Sequence, residues 1–115
     1  MEKLYSLTDL EIMSDGDSAF ITTMKQIFEE EILISLNKIT QAFAAGDYNT
    51  IRVTAHTMKP SIDNLHILSI KEEIRQLEHG AARQAPLEEL RPAAEKVDSV
   101  LKAVIEDMKK ETPNP

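Results

Sequence analysis

Cysteine is absent from the 115 residues, which removes disulfides and thiolate metal sites from consideration. Tryptophan is absent as well, and aromatic residues make up only 4% of the chain, so an interior must be built from Leu, Ile, Val, Met and Ala. No apolar run approaches the roughly 18 to 20 residues that cross a bilayer. The amino terminus lacks the basic, apolar and small-residue order of a secretory signal, so a reducing cytoplasm is the expected location. An excess of basic charge is missing too. Thirteen Lys and Arg face twenty Asp and Glu, and the resulting charge of -7 opposes a phosphate backbone or an anionic membrane surface. Neither nucleic acid nor direct membrane contact is expected. The length suits one ordinary domain.

What is present is helical periodicity. Leu4, Leu7, Leu10 and Ile12 suggest a short first helix, closed by the turn residues Ser14, Asp15, Gly16 and Asp17. From Ser18 to Ala45, Phe20, Met24, Ile27, Phe28, Ile32, Leu36, Ile39 and Phe43 keep helical spacing, and Gly46 follows as a left-handed cap. Asp47 then caps a second long helix whose seam is Ile51, Ala55, Met58, Ile62 and Leu65. A shorter third helix is expected from near Ser69, where Ser69 and Glu72 have capping-box spacing, through Ile70, Ile74 and Leu77 to Gly80. The last stripe runs through Leu87, Leu90, Ala94, Val97, Leu101, Val104 and Met108, with Pro92 predicting either a later start or a bend. No strand-like alternation of useful length competes. The expected fold is all-α: an antiparallel up-and-down four-helix bundle with a short extra N-terminal helix, over residues 1–110. Residues 111–115 are expected to form a flexible tail.

One residue behind the second seam runs a polar stripe of Arg52, His56, Lys59 and Asp63, rotated by about 100° from the core positions. It is expected on the flank or outside of the helix. An exposed imidazole is mainly neutral near pH 7 and offers a lone pair able to attack phosphorus. Lys59, one turn on, brings a cation to the same face, and Asp63 is spaced as an i,i+4 partner for it. The chain has no Gly-x-x-x-x-Gly-Lys loop, no kinase-type glycine loop and no acidic metal cluster, so a phosphoryl group must come from a partner. His66 and His79 lack the close ligand neighbours that a metal site requires, and no metal is expected.

Ala55-His56-Thr57-Met58-Lys59, followed by Ser61 and Leu65, resembles the motif of the histidine-containing phosphotransfer (HPt) domains of bacterial two-component phosphorelays. Gly16 and Asp17 with Phe20 and Phe28 resemble that family's entry into its first long helix. Leu77 and Glu78 near a glycine resemble the end of its third. The resemblance implies a phosphoryl carrier rather than an enzyme. His56 would accept a phosphoryl group from an aspartyl phosphate on a receiver domain and pass it to another receiver, and Lys59 would orient that group. The partners implied are receiver domains of a hybrid sensor kinase or a response regulator, with magnesium on the receiver and no cofactor on this chain. A monomer is expected; Arg52, Pro60 and Asp63 match no residue of the motif, and their position beside His56 and Lys59 makes them the expected partner-binding residues. The sequence departs from the family at two places. Pro60 follows Lys59 where glycine is usual, and it predicts a bend or widened turn over residues 56–60. His66 stands where glycine commonly ends the segment. The competing reading is a non-catalytic helical adaptor that binds a receiver or kinase without being phosphorylated.

Overall fold

A computed structural model describes residues 4–110, and all the regular structure among them is helical. The expected tail at 111–115 lies outside the described residues. The elements are α1 (Thr8–Ser14), α2 (Ser18–Ala45), α3 (Tyr48–Asn64), α4 (Lys71–Ala82) and α5 (Leu87–Lys110), with a 3-10 turn at Leu68–Ile70. Local chemistry sets the boundaries of α2 and α3. Asp17 accepts hydrogen bonds from the Ala19 and Phe20 amides at the start of α2, and Asp47 accepts from the Thr50 amide at the start of α3. Thr50 donates its hydroxyl to the same Asp47 carboxylate, and these bonds hold that carboxyl below its ordinary range. Gly46 ends α2 at φ +67°, a conformation that glycine adopts without steric penalty.

Each long helix packs on the next: α2 on α3, α3 on α4, α4 on α5, and α5 back on α2. The α3–α4 contact is the most extensive and the α2–α5 contact the sparsest in this ring. Ile51, Leu65, Ile70, Leu77, Val97, Leu101 and Val104 are fully buried and form the centre of the core. The α4–α5 approach is close at Gly80, where a Cβ would overlap the side chain of Leu90. The α2–α5 side is open by comparison. A cleft of about 520 Å³ lies there, with Leu36, Ile39 and Phe43 in its floor and Arg91 stacked over the Phe43 ring, 5.6 Å from the centroid.

Several local expectations require correction. Phe20 and Ile27 are 37% and 40% exposed, because both lie about 80–100° around α2 from Phe28, on the side away from Ile32, Leu36, Ile39 and Phe43. The Ser69–Glu72 capping box does not form. The 3-10 turn occupies that stretch, and α4 begins at Lys71 without a side-chain cap and continues past Gly80 to Ala82. α5 begins at Leu87 and stays helical through Pro92, whose exposed position leaves the affected carbonyl to water. The widened turn expected at Pro60 is also missing, since α3 is α-helical from Tyr48 to Asn64. Pro60 and His56 both lie on the exposed face of α3, where solvent can stand in for the N–H that the His56 carbonyl loses. His66 takes the glycine-like role itself, at φ +52°. Its Nε2 lies 3.0 Å from Asp9 Oδ2, while the Ser6 amide donates to the Leu65 carbonyl at 2.7 Å. Both contacts tie the segment around α1 to the α3–α4 turn, and they help hold a histidine in a conformation that costs about 1–2 kcal/mol.

Candidate functional site

The seam of α3 buries Ile51, Ala55, Met58 and Ile62, and the residue after each of the middle two is thereby turned toward the outside. His56 is one of them, with 69% of its side chain exposed. Its ring is nevertheless fixed on one side. Nδ1 lies 2.6 Å from Glu78 Oε2, across the α3–α4 interface. The Lys59 ammonium lies against the other oxygen, Oε1, of the same carboxylate. Glu78 is 13% exposed, and His79 Nε2 stands 3.9 Å from its Oε1. One shielded carboxylate thus faces two imidazoles and an ammonium.

The electrostatics follow from that arrangement. Lys59 holds the Glu78 carboxyl below its ordinary value of 4.5 against the opposing push of burial, and His56 adds to the lowering. An ionised carboxylate can only accept hydrogen bonds. In the neutral ring Nδ1 therefore carries the proton and donates it to Glu78, while Nε2 carries the lone pair. No hydrogen bond or ion pair among the described residues engages Nε2. Positive charge that develops on the ring when Nε2 forms a bond is stabilised by the carboxylate beside Nδ1.

The other residues of the polar stripe separate. Asp63 pairs with Lys71 of α4 at 3.3 Å rather than with Lys59. The i,i+4 expectation fails because α4 offers each of the two a partner across the interface. Arg52 donates from Nη2 to Asn49 Oδ1 at 2.9 Å. Pro60 lies exposed on the outer face. Exposed Val53 on α3 and Ile34 on α2 add apolar surface, and Ile34 shares a groove with Thr57, Met58 and Ser61. Among the described residues no group of three or more His, Asp or Glu side chains is arranged to hold a metal ion.

Glu78 is the site residue that sequence reasoning left without a role. A signal was present: Asp63 and Lys71 stand four residues either side of Ile67, and His56 and Glu78 stand eleven either side. An antiparallel hairpin turning at Ile67 brings both pairs together.

The described residues thus form a helical fold that presents an exposed histidine braced from the neighbouring helix. The family model described as Hpt domain matches residues 23–111, and the chain belongs to that family. Its role is phosphotransfer in two-component phosphorelays, where Hpt domains act as phosphocarriers and interact with receiver domains. No curated protein and no solved structure matches the chain. No helix among the described residues is long and apolar enough to cross a membrane.

Proposed function

We propose that His56 is the phosphorylated residue, taking a phosphoryl group from an aspartyl phosphate of one receiver domain and passing it to the aspartate of another. The observation that carries this reading is the pairing of an exposed ring with a fixed Nδ1. Nε2 attacks phosphorus, the P–N bond forms as the P–O bond to the aspartyl group breaks, and the carboxylate leaves with the electron pair. Nδ1 keeps its proton against Glu78, which offsets the charge gained by the ring. Return to a second receiver reverses these bond changes.

Charge distribution supports an acidic partner at this face. From Tyr48 to Arg83 the chain carries five Lys and Arg against four Asp and Glu, leaving eight against sixteen for all the rest. The segment bearing His56 is therefore slightly positive within a strongly negative protein, so an acidic receiver surface is repelled least there. Val53, Ile34 and Pro60 supply apolar contact around the histidine, with Arg52 and Asp63 at the edge. In this reading the magnesium ion belongs to the receiver, and the carrier acts as a cytoplasmic monomer. The ring of helix contacts is taken as an antiparallel up-and-down four-helix bundle, with α1 as the extra helix.

The test is phosphoryl transfer from a phosphorylated receiver, read as acid-labile phosphohistidine. The parent is expected to become labelled and His56→Gln to remain unlabelled, with an unchanged helical spectrum. Labelling of His56→Gln at the parental level would sink the assignment.

A further inference from the structure

Two cations share the exposed face of α3 with His56, and their surroundings differ. Lys59 is committed: its ammonium lies on Glu78, a carboxylate only 13% exposed. Swinging it away toward a phosphoryl group would leave that shielded charge poorly compensated. Arg52 is held by one exposed hydrogen bond to the neutral Asn49 amide, and among the described residues it has no carboxylate partner. Exchanging that bond for two charge-assisted bonds to phosphoryl oxygens favours the swing. Arg52 precedes His56 by four residues, one helical turn. Helical side chains lean toward the N-terminus, so the His56 ring covers the turn that begins at Arg52.

We propose that Arg52 is the residue that grips the incoming phosphoryl group, and that Lys59 acts on His56 only through Glu78, as a positioning residue. This division of labour rests on the reading of His56 as the nucleophile. It replaces the expectation that Lys59 orients the phosphoryl group. In the resting protein Lys59 lies on Glu78, Glu78 holds Nδ1 of the ring, and Arg52, bonded to Asn49, stands one helical turn before His56.

The test uses phosphoramidate as the phosphoryl donor, so that no receiver is needed. Nε2 bonds to phosphorus, the donor's P–N bond breaks, and its electron pair leaves with ammonia, which the zwitterionic donor already carries protonated on nitrogen. Phosphohistidine formation is followed by ³¹P NMR, and the tautomer of the free ring by ¹⁵N NMR. Arg52→Ala is expected to slow phosphorylation about tenfold or more, the size of a lost hydrogen bond to a charged group. The tautomer should stay unchanged, and Arg52→Lys should recover part of the rate. Lys59→Ala should slow the reaction and also reduce the Nδ1–H form, and it should add nothing further in a Glu78→Gln background. Lys38→Ala, which removes a cation from the neighbouring groove on α2, should leave the rate unchanged.

A parental rate in Arg52→Ala overturns the proposal. So does a loss in Lys38→Ala as large as that in Arg52→Ala, or a Lys59→Ala effect that persists in full without the Glu78 charge. A parent protein that phosphoramidate fails to label overturns the His56 assignment itself, which is a different failure from a labelled parent indifferent to Arg52.

Discussion

The α3–α4 hairpin and the α2–α5 pair are made from the same kind of amphipathic helix, yet they meet in different ways. α3 and α4 have the most extensive contact in the ring, and polar pairs cross their interface from Asp63–Lys71 to His56–Glu78. α2 and α5 touch sparsely, leave a cleft between them, and are joined across it by Arg91 over Phe43 and, further along, by Lys109 with Glu29 at 3.2 Å. Geometry is held most tightly around the histidine proposed to be phosphorylated. A nucleophilic ring must keep one nitrogen fixed while the other stays open, and a closely packed interface supplies that second-helix support. The far side of the molecule carries no such demand.

The same substitution on both sides puts the largest strain on this contrast. Leu77→Ala on α4 removes a fully buried side chain and is expected to cost about 2–5 kcal/mol. Leu36→Ala, in the floor of the α2–α5 cleft, should cost about 2 kcal/mol, because the space it vacates joins an opening already present. Urea unfolding of both variants measures the difference, and equal losses would break the comparison. Acid provides an intermediate effect confined to the hairpin. The Glu78 carboxyl is lowered in the folded protein, so its contribution is present above the unfolded value near 4.5 and is lost as pH falls through the folded value. The stability advantage of the parent over Glu78→Gln at pH 7 should therefore shrink as the pH is taken below 4.5; a constant gap would remove Glu78 from the stability of the hairpin. The smallest effect belongs to the Asp63–Lys71 pair, both of whose side chains are more than half exposed. Lys71→Ala should shift the urea midpoint by the equivalent of about 0–1 kcal/mol. A larger loss would show that this pair does more than mark the register of the two helices.

Much of this contrast was legible in the residues, though unevenly. The seam of Ile51, Ala55, Met58 and Ile62 announces both α3 and the outward direction of His56, because a helix repeats every 3.6 residues and the stripe lies one residue behind. Asp17, Gly46 and Asp47 mark the ends of α2 and the start of α3 through their own backbone bonding. Contacts between helices were harder to read. Lys59 has an acid at i+4 in Asp63 and a better one across the interface in Glu78, and only the antiparallel register decides between them. Exposure of Phe20 and Ile27 was hidden for a similar reason: apolar character was visible, but the neighbour needed to cover it was not. Pro60 and His66 each depart from a local preference: Pro60 does so on the exposed face of α3, and His66 is held by its contact with Asp9.

The ring in which each long helix packs on the next also bears on how the chain assembles. Every neighbour along the sequence is reached through a short turn, so closing these contacts costs little loop entropy. The α2–α5 contact alone must wait for the whole intervening segment to be ordered. Tyr48 to Ala82 can thus gather its own contacts early, placing Glu78 opposite His56 while the first and last long helices are still apart.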